Sequence, residues 1–328
     1  MSTEEIADGP TWQKQIRSDG EFVRRDAVFR DWIERKSGAR FFAQPGRYHL
    51  YVSLACPWAH RTLIVRQLKG LDQVISCDVT DWFLPERGWT FFAQSAGATL
   101  DRVNGVEHLR DLYERISPGY RGSVTVPTLW DRQEGTVVNN ESSEIIRMLN
   151  SEFDEFAGRP EIDLYPVPLR EEIDSINSWV YPLINNGVYR SGFARSQEAY
   201  ERASRGVFEG LDRAEALLST RRYLTGPRLT EADIRLWTTL IRFDEVYVTH
   251  FKCNLRRLSD YPNLSGFVRE LYAHPAFQGT TDFTHIKRHY FESHESLNPW
   301  RLVPIGPKRD LDAPHGRDHL EQEWFPSP

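Results

Sequence analysis

One cysteine stands where a chain could do sulfur chemistry. Cys56-Pro57 follows Tyr48-His49-Leu50-Tyr51-Val52-Ser53-Leu54 and precedes a stretch with apolar groups at Leu63, Ile64 and Leu68 before Gly70. The alternation in the first segment predicts a strand. The spacing in the second predicts a helix that Gly70 ends. Pro57 suits the first helical position, where the missing N–H would have no partner in any case. Cys56 then falls at the N-cap, beside free N–H groups and the positive helix end, a position that lowers a thiol pKa and favours the thiolate. In a Cys-x-x-Cys site a second thiol resolves the first, but here that place is Ala59. A lone thiolate cannot close an internal disulfide, so any redox cycle needs an outside thiol. For the Cys-Pro pair taken alone, a small core residue at a strand–helix junction explains it equally well.

The elements that must position Cys56 can be read in order. Val74–Val79 reads as a second strand, with Cys77 expected in the core. Residues 80–122 form a long irregular insertion that contains Gly88-Trp89-Thr90-Phe91 and one helical patch, Val106–Ile116. Val124–Trp130 reads as a strand interrupted by Pro127, which a central strand does not tolerate casually, and a cis Val126–Pro127 bond would explain it. A further strand, Thr136–Val138, leads through Asn139-Asn140-Glu141-Ser142-Ser143 into a helix over 144–149. Small polar residues opening a helix supply free N–H groups for a carboxylate. The order is that of a thioredoxin-like α/β domain. In that pattern the proline loop, Val126-Pro127, faces the capping cysteine and its backbone pairs with an extended peptide-like ligand. The Glu141-Ser142 start adds a carboxylate site and an anionic side chain for an ammonium, a match to the γ-glutamyl head of glutathione.

Composition bounds the rest. The chain has 328 residues, enough for two domains, and a formal net charge of −6, which does not point to nucleic acid. Three cysteines make no disulfide framework and suggest a reducing compartment. Met1-Ser2-Thr3-Glu4-Glu5 lacks the blocks of a signal peptide, and no apolar run approaches the roughly 20 residues that span a bilayer. A soluble cytoplasmic protein with no membrane partner is expected. Residues 1–46, with Phe22, Phe29, Trp32, Phe41 and Phe42 among charges, predict an arm packed on the body rather than a disordered tail. The thioredoxin-like domain is assigned to 47–155. Past a Pro-rich linker, an all-α domain is assigned to 169–290, with helices near 196–219, 230–248 and 261–274, and a wrapping tail to 291–328. Thr230-Glu231-Ala232-Asp233 reads as a capping box, with Asp233 a buried structural cap.

Over nearly its whole length the chain resembles the glutathionyl-hydroquinone reductases, the Xi class of glutathione transferases. The matching stretches are Cys56-Pro57-Trp58-Ala59-His60-Arg61, Gly88–Phe91, Thr125–Asp131, Asn139–Asn150, Asn185-Asn186-Gly187-Val188-Tyr189, Arg242-Phe243-Asp244, Phe251–Asn254, Tyr261–Leu264 and Ile286–Tyr290. The resemblance implies a homodimer whose nucleophile is Cys56, with Trp89, Val126, Glu141 and Ser142 as glutathione contacts. It also implies that Tyr189 and Tyr290 lean over the substrate ring. The class pattern places an Arg where Ser123 stands, so Arg121, two residues earlier, becomes the candidate to hold the glycyl end. The expected substrates are glutathionylated aromatic or quinone-derived small molecules, with glutathione as cosubstrate. Cys56 would attack the thioether sulfur, a tyrosine would supply the proton, and a second glutathione would resolve the mixed disulfide. A general glutathione-dependent thiol transferase or dehydroascorbate reductase is the nearest rival, and a non-catalytic ligand-binding homologue the other. The insertion and the two tyrosines favour an aromatic pocket. No metal is expected: His285, His289 and His294 lack nearby cysteines or clustered acids. Cys253 is expected to be buried and inert.

Overall fold

Four strands make one mixed sheet in the computed structural model, which describes residues 15–324. Their order is β2-β1-β3-β4, with β1 Tyr48–Val52, β2 Ser76–Val79, β3 Thr128–Asp131 and β4 Thr136–Asn139. β1 pairs parallel with β2 through Leu50↔Cys77 and antiparallel with β3 through Leu50↔Leu129. Central β1 is buried at all five positions, as a strand covered on both faces must be. The helix after it, α1 (Pro57–Leu68), has Pro57 in its first turn and ends at Gly70 with φ +66°, the left-handed conformation that a helix-terminating glycine supplies. α2 (Leu109–Ile116) lies on β4, and α3 (Ser142–Ser151) packs beside α1.

The helical half contains α4 (Arg170–Trp179), α5 (Gly187–Gly192), α6 (Gln197–Leu218), α7 (Glu231–Leu240), α8 (Pro262–Tyr272), α9 (Pro275–Gln278) and α10 (Phe283–Ser293). Two wider turns interrupt the α-helical ladder. Val180–Asn185 and Phe243–Tyr247 are π-helical, with Asn186 N–H donating to the Tyr181 carbonyl and Val248 N–H to that of Phe243. The helix expected over 230–248 is therefore α7 followed by a π turn. α1 meets α7 and α9 across the boundary between the halves.

Several local expectations shift. The segment Val124–Pro127 is not strand: Pro127 has no N–H to give a ladder, and the Thr125 carbonyl is taken by the Thr128 and Tyr113 hydroxyls at 2.6 and 3.4 Å. Val126–Pro127 is cis. The Val74–Val79 strand begins only at Ser76, because Val74 and Ile75 close a turn onto the Leu71 carbonyl. Cys77 is only partly buried, with its carbonyl bonded by the partly exposed Arg102, whereas Cys253 is fully buried.

The arm expected over 1–46 and the tail over 291–328 each run past the described residues, at 1–14 and 325–328. Within them, Phe22, Ile33, Phe41 and Ala43 are core residues. Phe22 stacks near Phe193 of the helical half, while Phe29 and Asn140 exchange hydrogen bonds on the sheet side. The arm thus touches both halves. On the tail, Arg317 is 2% exposed and donates to Glu270 and to four main-chain carbonyls.

Asp233 is fully buried and closes the Thr230 capping box. One oxygen accepts from Leu224 N–H at 2.8 Å, the other from Thr230 N–H at 2.9 Å. Asp233→Ala leaves both donors buried without an acceptor, so it lowers the unfolding free energy by about 3 kcal/mol. Chemical denaturation checks this, and a loss no larger than that of an exposed Asp→Ala control would show that water replaces the carboxylate.

Candidate functional site

Cys56 caps α1, as its position before Pro57 requires, and its backbone is extended at φ −78° and ψ 121°. Its thiol donates to the Val126 carbonyl at 3.3 Å, so the cis-proline loop faces the sulfur directly. Burial pushes the thiol pKa up. The N–H groups of Ala59 and Trp58, and the guanidinium groups of Arg242 and Arg24, pull it back down. Burial wins, which reverses the direction read from the helix N-cap alone: Cys56 is 9% exposed, and the helix end does not replace lost water. Ala59 is fully buried at the place a resolving thiol would take.

Beside Cys56 opens a cleft whose walls include Trp58, Ser123, Val126, Pro127, Glu141, Ser142 and Tyr181, closed by residues 24–28 of the arm. Glu141 is the N-cap of α3, and its Oε1 accepts from Ser143 N–H at 2.9 Å. Ser142, at the first position of α3, receives Arg61 Nη1 at 3.3 Å. A carboxylate laid at this helix start meets the positive helix end, and Arg61 adds a buried cation from below. Burial, with Arg235 adding repulsion, brings the Arg61 pKa down to about 9.

On the helical side, Tyr189 and Tyr290 share a hydrogen bond of 2.5 Å between their hydroxyls, and Tyr290 meets the Tyr247 hydroxyl at 3.0 Å. Burial raises all three phenol pKa values, and for Tyr189 a charge on Cys56 raises it further. The phenols stay protonated, as proton donors must. Arg24 lies over Trp58 and Tyr189, 5.0 and 4.7 Å from their ring centroids, with its Nε on Asn186 Oδ1 at 3.0 Å.

The structure therefore gathers Cys56, Val126, Pro127, Glu141 and Ser142 around one cleft and sets Tyr189 near enough to Cys56 to feel its charge, with Tyr290 hydrogen-bonded to Tyr189. Two further expected residues do not line the cleft wall itself. Trp89 is buried in the insertion, stacked on His289 with ring centroids 5.1 Å apart, and Arg121 is exposed away from the cleft wall. Sequence reasoning missed Tyr247, Arg24 and Arg61. Arg61 stands inside the Cys56–Arg61 motif, so motif membership could have flagged it, whereas Tyr247 lies three residues past the end of Arg242-Phe243-Asp244. For Arg24 nothing local signals a site. The three histidines are otherwise engaged: His285 with the Ala96 carbonyl, His289 with that of Trp82, and His294 with His250. Among the described residues no group of three His, Cys, Asp or Glu is placed to hold a metal ion.

Comparison with known proteins follows the same outline. The glutathione S-transferase N-terminal domain model matches residues 55–152, and the C-terminal domain model residues 197–270. The chain is 52% identical over 314 residues to the glutathionyl-hydroquinone reductase YqjG of Escherichia coli, covering 94% of this chain and 95% of that one. The glutathione-bound structure of YqjG superposes with a TM-score of 0.86, covering 89% of this chain and 96% of that one at 53% identity. The Xi glutathione-S-transferase of Phanerochaete chrysosporium gives 0.85 at 53% identity, covering 87% and 97%. With both domain models in place and half the residues shared across almost the full length, the chain belongs to the glutathione transferases, in the Xi class of glutathionyl-hydroquinone reductases.

Proposed function

We propose that the chain reduces S-glutathionyl-hydroquinones to hydroquinones, with glutathione as electron donor. The observation that supports this reading is the chain of three buried phenols, Tyr189–Tyr290–Tyr247, whose first member lies near the Cys56 thiol. Exchange between disulfides expels a thiolate and needs no such donor. Expelling an aromatic carbon from sulfur does, because that carbon must leave bonded to a proton. The relatives named glutathionyl-hydroquinone reductases support the same chemistry.

The steps balance as follows. Glutathione's γ-glutamyl head sits at Glu141 and Ser142, with its cysteinyl part along Val126-Pro127. Tyr189, its hydroxyl supported by Tyr290, protonates the ring carbon that carries sulfur, giving a keto form. The Cys56 thiolate attacks the thioether sulfur, the carbon–sulfur pair of electrons returns through the ring to the keto oxygen, and hydroquinone leaves once that oxygen takes the proton that the second glutathione thiol gives up. The Cys56–glutathione disulfide that remains cannot pass to Ala59. A second glutathione thiolate attacks it, releasing oxidised glutathione and regenerating Cys56. We take the enzyme to be a cytoplasmic homodimer, since its three cysteines are all free and the class resemblance implies the dimer.

Three substitutions test this. Cys56→Ser abolishes turnover of glutathionyl-hydroquinones while circular dichroism stays unchanged, because serine caps a helix equally well. Persistent turnover would remove Cys56 as nucleophile. Tyr189→Phe slows single-turnover formation of the Cys56 mixed disulfide by about 10²–10⁴-fold, with little change in thiol binding. If that rate holds in Tyr189→Phe and in Tyr290→Phe, the acid lies elsewhere. Arg24→Met moves the pH profile of Cys56 alkylation upward, since a cation that favours the thiolate is gone. An unmoved profile would show that water screens Arg24 from the sulfur.

A further inference from the structure

A tripeptide thiol carries a second carboxylate, at its C-terminal glycine, and that charge also needs a partner. This inference rests on the thiol position proposed above. With the γ-glutamyl head at the start of α3 and the sulfur at Cys56 and Val126, an extended ligand paired along the proline loop carries its last residue past Thr125 toward Ser123. The sheet domain offers no cation there. Ser123 brings a neutral hydroxyl, and Arg121 is exposed outside the cleft wall. The cations in that wall come from the arm: Arg24 and Arg25 face the same cleft as Ser123 and Thr125.

The two arm arginines are not equivalent. Arg24 is half-buried, tied to Asn186 and laid over Trp58 and Tyr189, so it belongs to the sulfur end. Arg25 follows it in a segment without helix, is exposed, and among the described residues has no carboxylate partner. Asp26 lies in the wall as well, but its charge is near enough to Arg30 to raise that guanidinium's pKa. The register of the segment is fixed on both sides. Arg24 anchors it to Asn186, and the exchange of hydrogen bonds between Phe29 and Asn140 holds it beside the sheet. A charged, forked donor thus lines the same cleft as Ser123 and Thr125, toward which the glycyl carboxylate runs.

We propose that Arg25 of the arm binds the C-terminal carboxylate of the thiol and so selects a tripeptide with a free acid at that end. The arm is then part of the binding site rather than packing alone.

Calorimetric titration of two probes tests this: S-methylglutathione and the same compound with its glycyl carboxylate converted to the amide. The parent protein should bind the acid about 10-fold more tightly than the amide, the usual worth of a charge-assisted contact. Arg25→Ala should weaken the acid by that factor, leave the amide unchanged and bring the ratio near one. Arg25→Lys should recover part of it, because it keeps charge without the fork. Arg121→Ala should keep the parent ratio. A ratio that survives Arg25→Ala, or that is absent in the parent, overturns the proposal, as does a ratio lost in Arg121→Ala instead. Turnover separates the two readings. A parent that reduces glutathionyl-hydroquinones but fails the titration loses only the role of Arg25; a parent that neither binds the probes nor turns over loses the functional reading too.

Discussion

Everything at the site hangs on one buried guanidinium. Arg242, fully buried just after α7, donates to the Ala55 carbonyl at 2.9 Å and to the Leu54 carbonyl at 3.1 Å, the two residues that precede Cys56. Its other contacts are the Thr238 carbonyl and His60, whose far nitrogen meets Thr280. A charge this deep is costly unless its donors are all satisfied. Here main-chain carbonyls do it, with no carboxylate, and the charge stays available to the sulfur. Burial, aided by that same cation, holds His60 neutral with its pKa well below the ordinary value. The helical half therefore fixes the turn that carries Cys56 in the other half.

The same device recurs around Trp58. Arg61 lies 4.5 Å from its ring centroid and Arg24 5.0 Å, and neither has a carboxylate bonded to it. Among the described residues, a chain whose net charge is −6 thus keeps Arg24, Arg61 and Arg242, like Arg25 of the arm, without a bonded carboxylate around one cleft. Low local dielectric makes such charges act strongly on whatever anion arrives. Burial raises the Cys56 thiol pKa, but it does so in a site already biased for negative charge, where Arg242 and Arg24 act in the opposite direction.

Much of this was legible in the chain. The alternation of Tyr48–Leu54, Pro57 and Gly70 placed Cys56 at a helix start, and the interrupted Val124–Trp130 segment foretold the cis proline loop. Thr230 and Asp233 announced their cap. These signals are local, and each rests on the geometry of a few adjacent residues. What stayed hidden depends on contacts between distant positions. The Tyr189–Tyr290 bond spans 101 residues, and the one from Arg242 to Ala55 spans 187. The thiol's direction was misread because helix ends are visible in sequence and burial is not. Trp89 and Arg121 were placed by motif and neighbourhood, which say nothing about which way an irregular insertion folds. For Arg24 and Arg25 the obstacle was the arm: its aromatics told that it packs, not where it crosses.

The two π turns give this site an unusual kind of memory. Val180–Asn185 lies just before Tyr189, and Phe243–Tyr247 contains Tyr247. Each turn holds one residue more than an α-helix needs, and one residue is about 100° of rotation. Deleting that residue would restore regular hydrogen bonding while swinging the phenol that follows away from the thiol. The orientation of the tyrosines is thus written in the length of the chain, and shortening by a single codon can erase it where a point substitution would leave it intact.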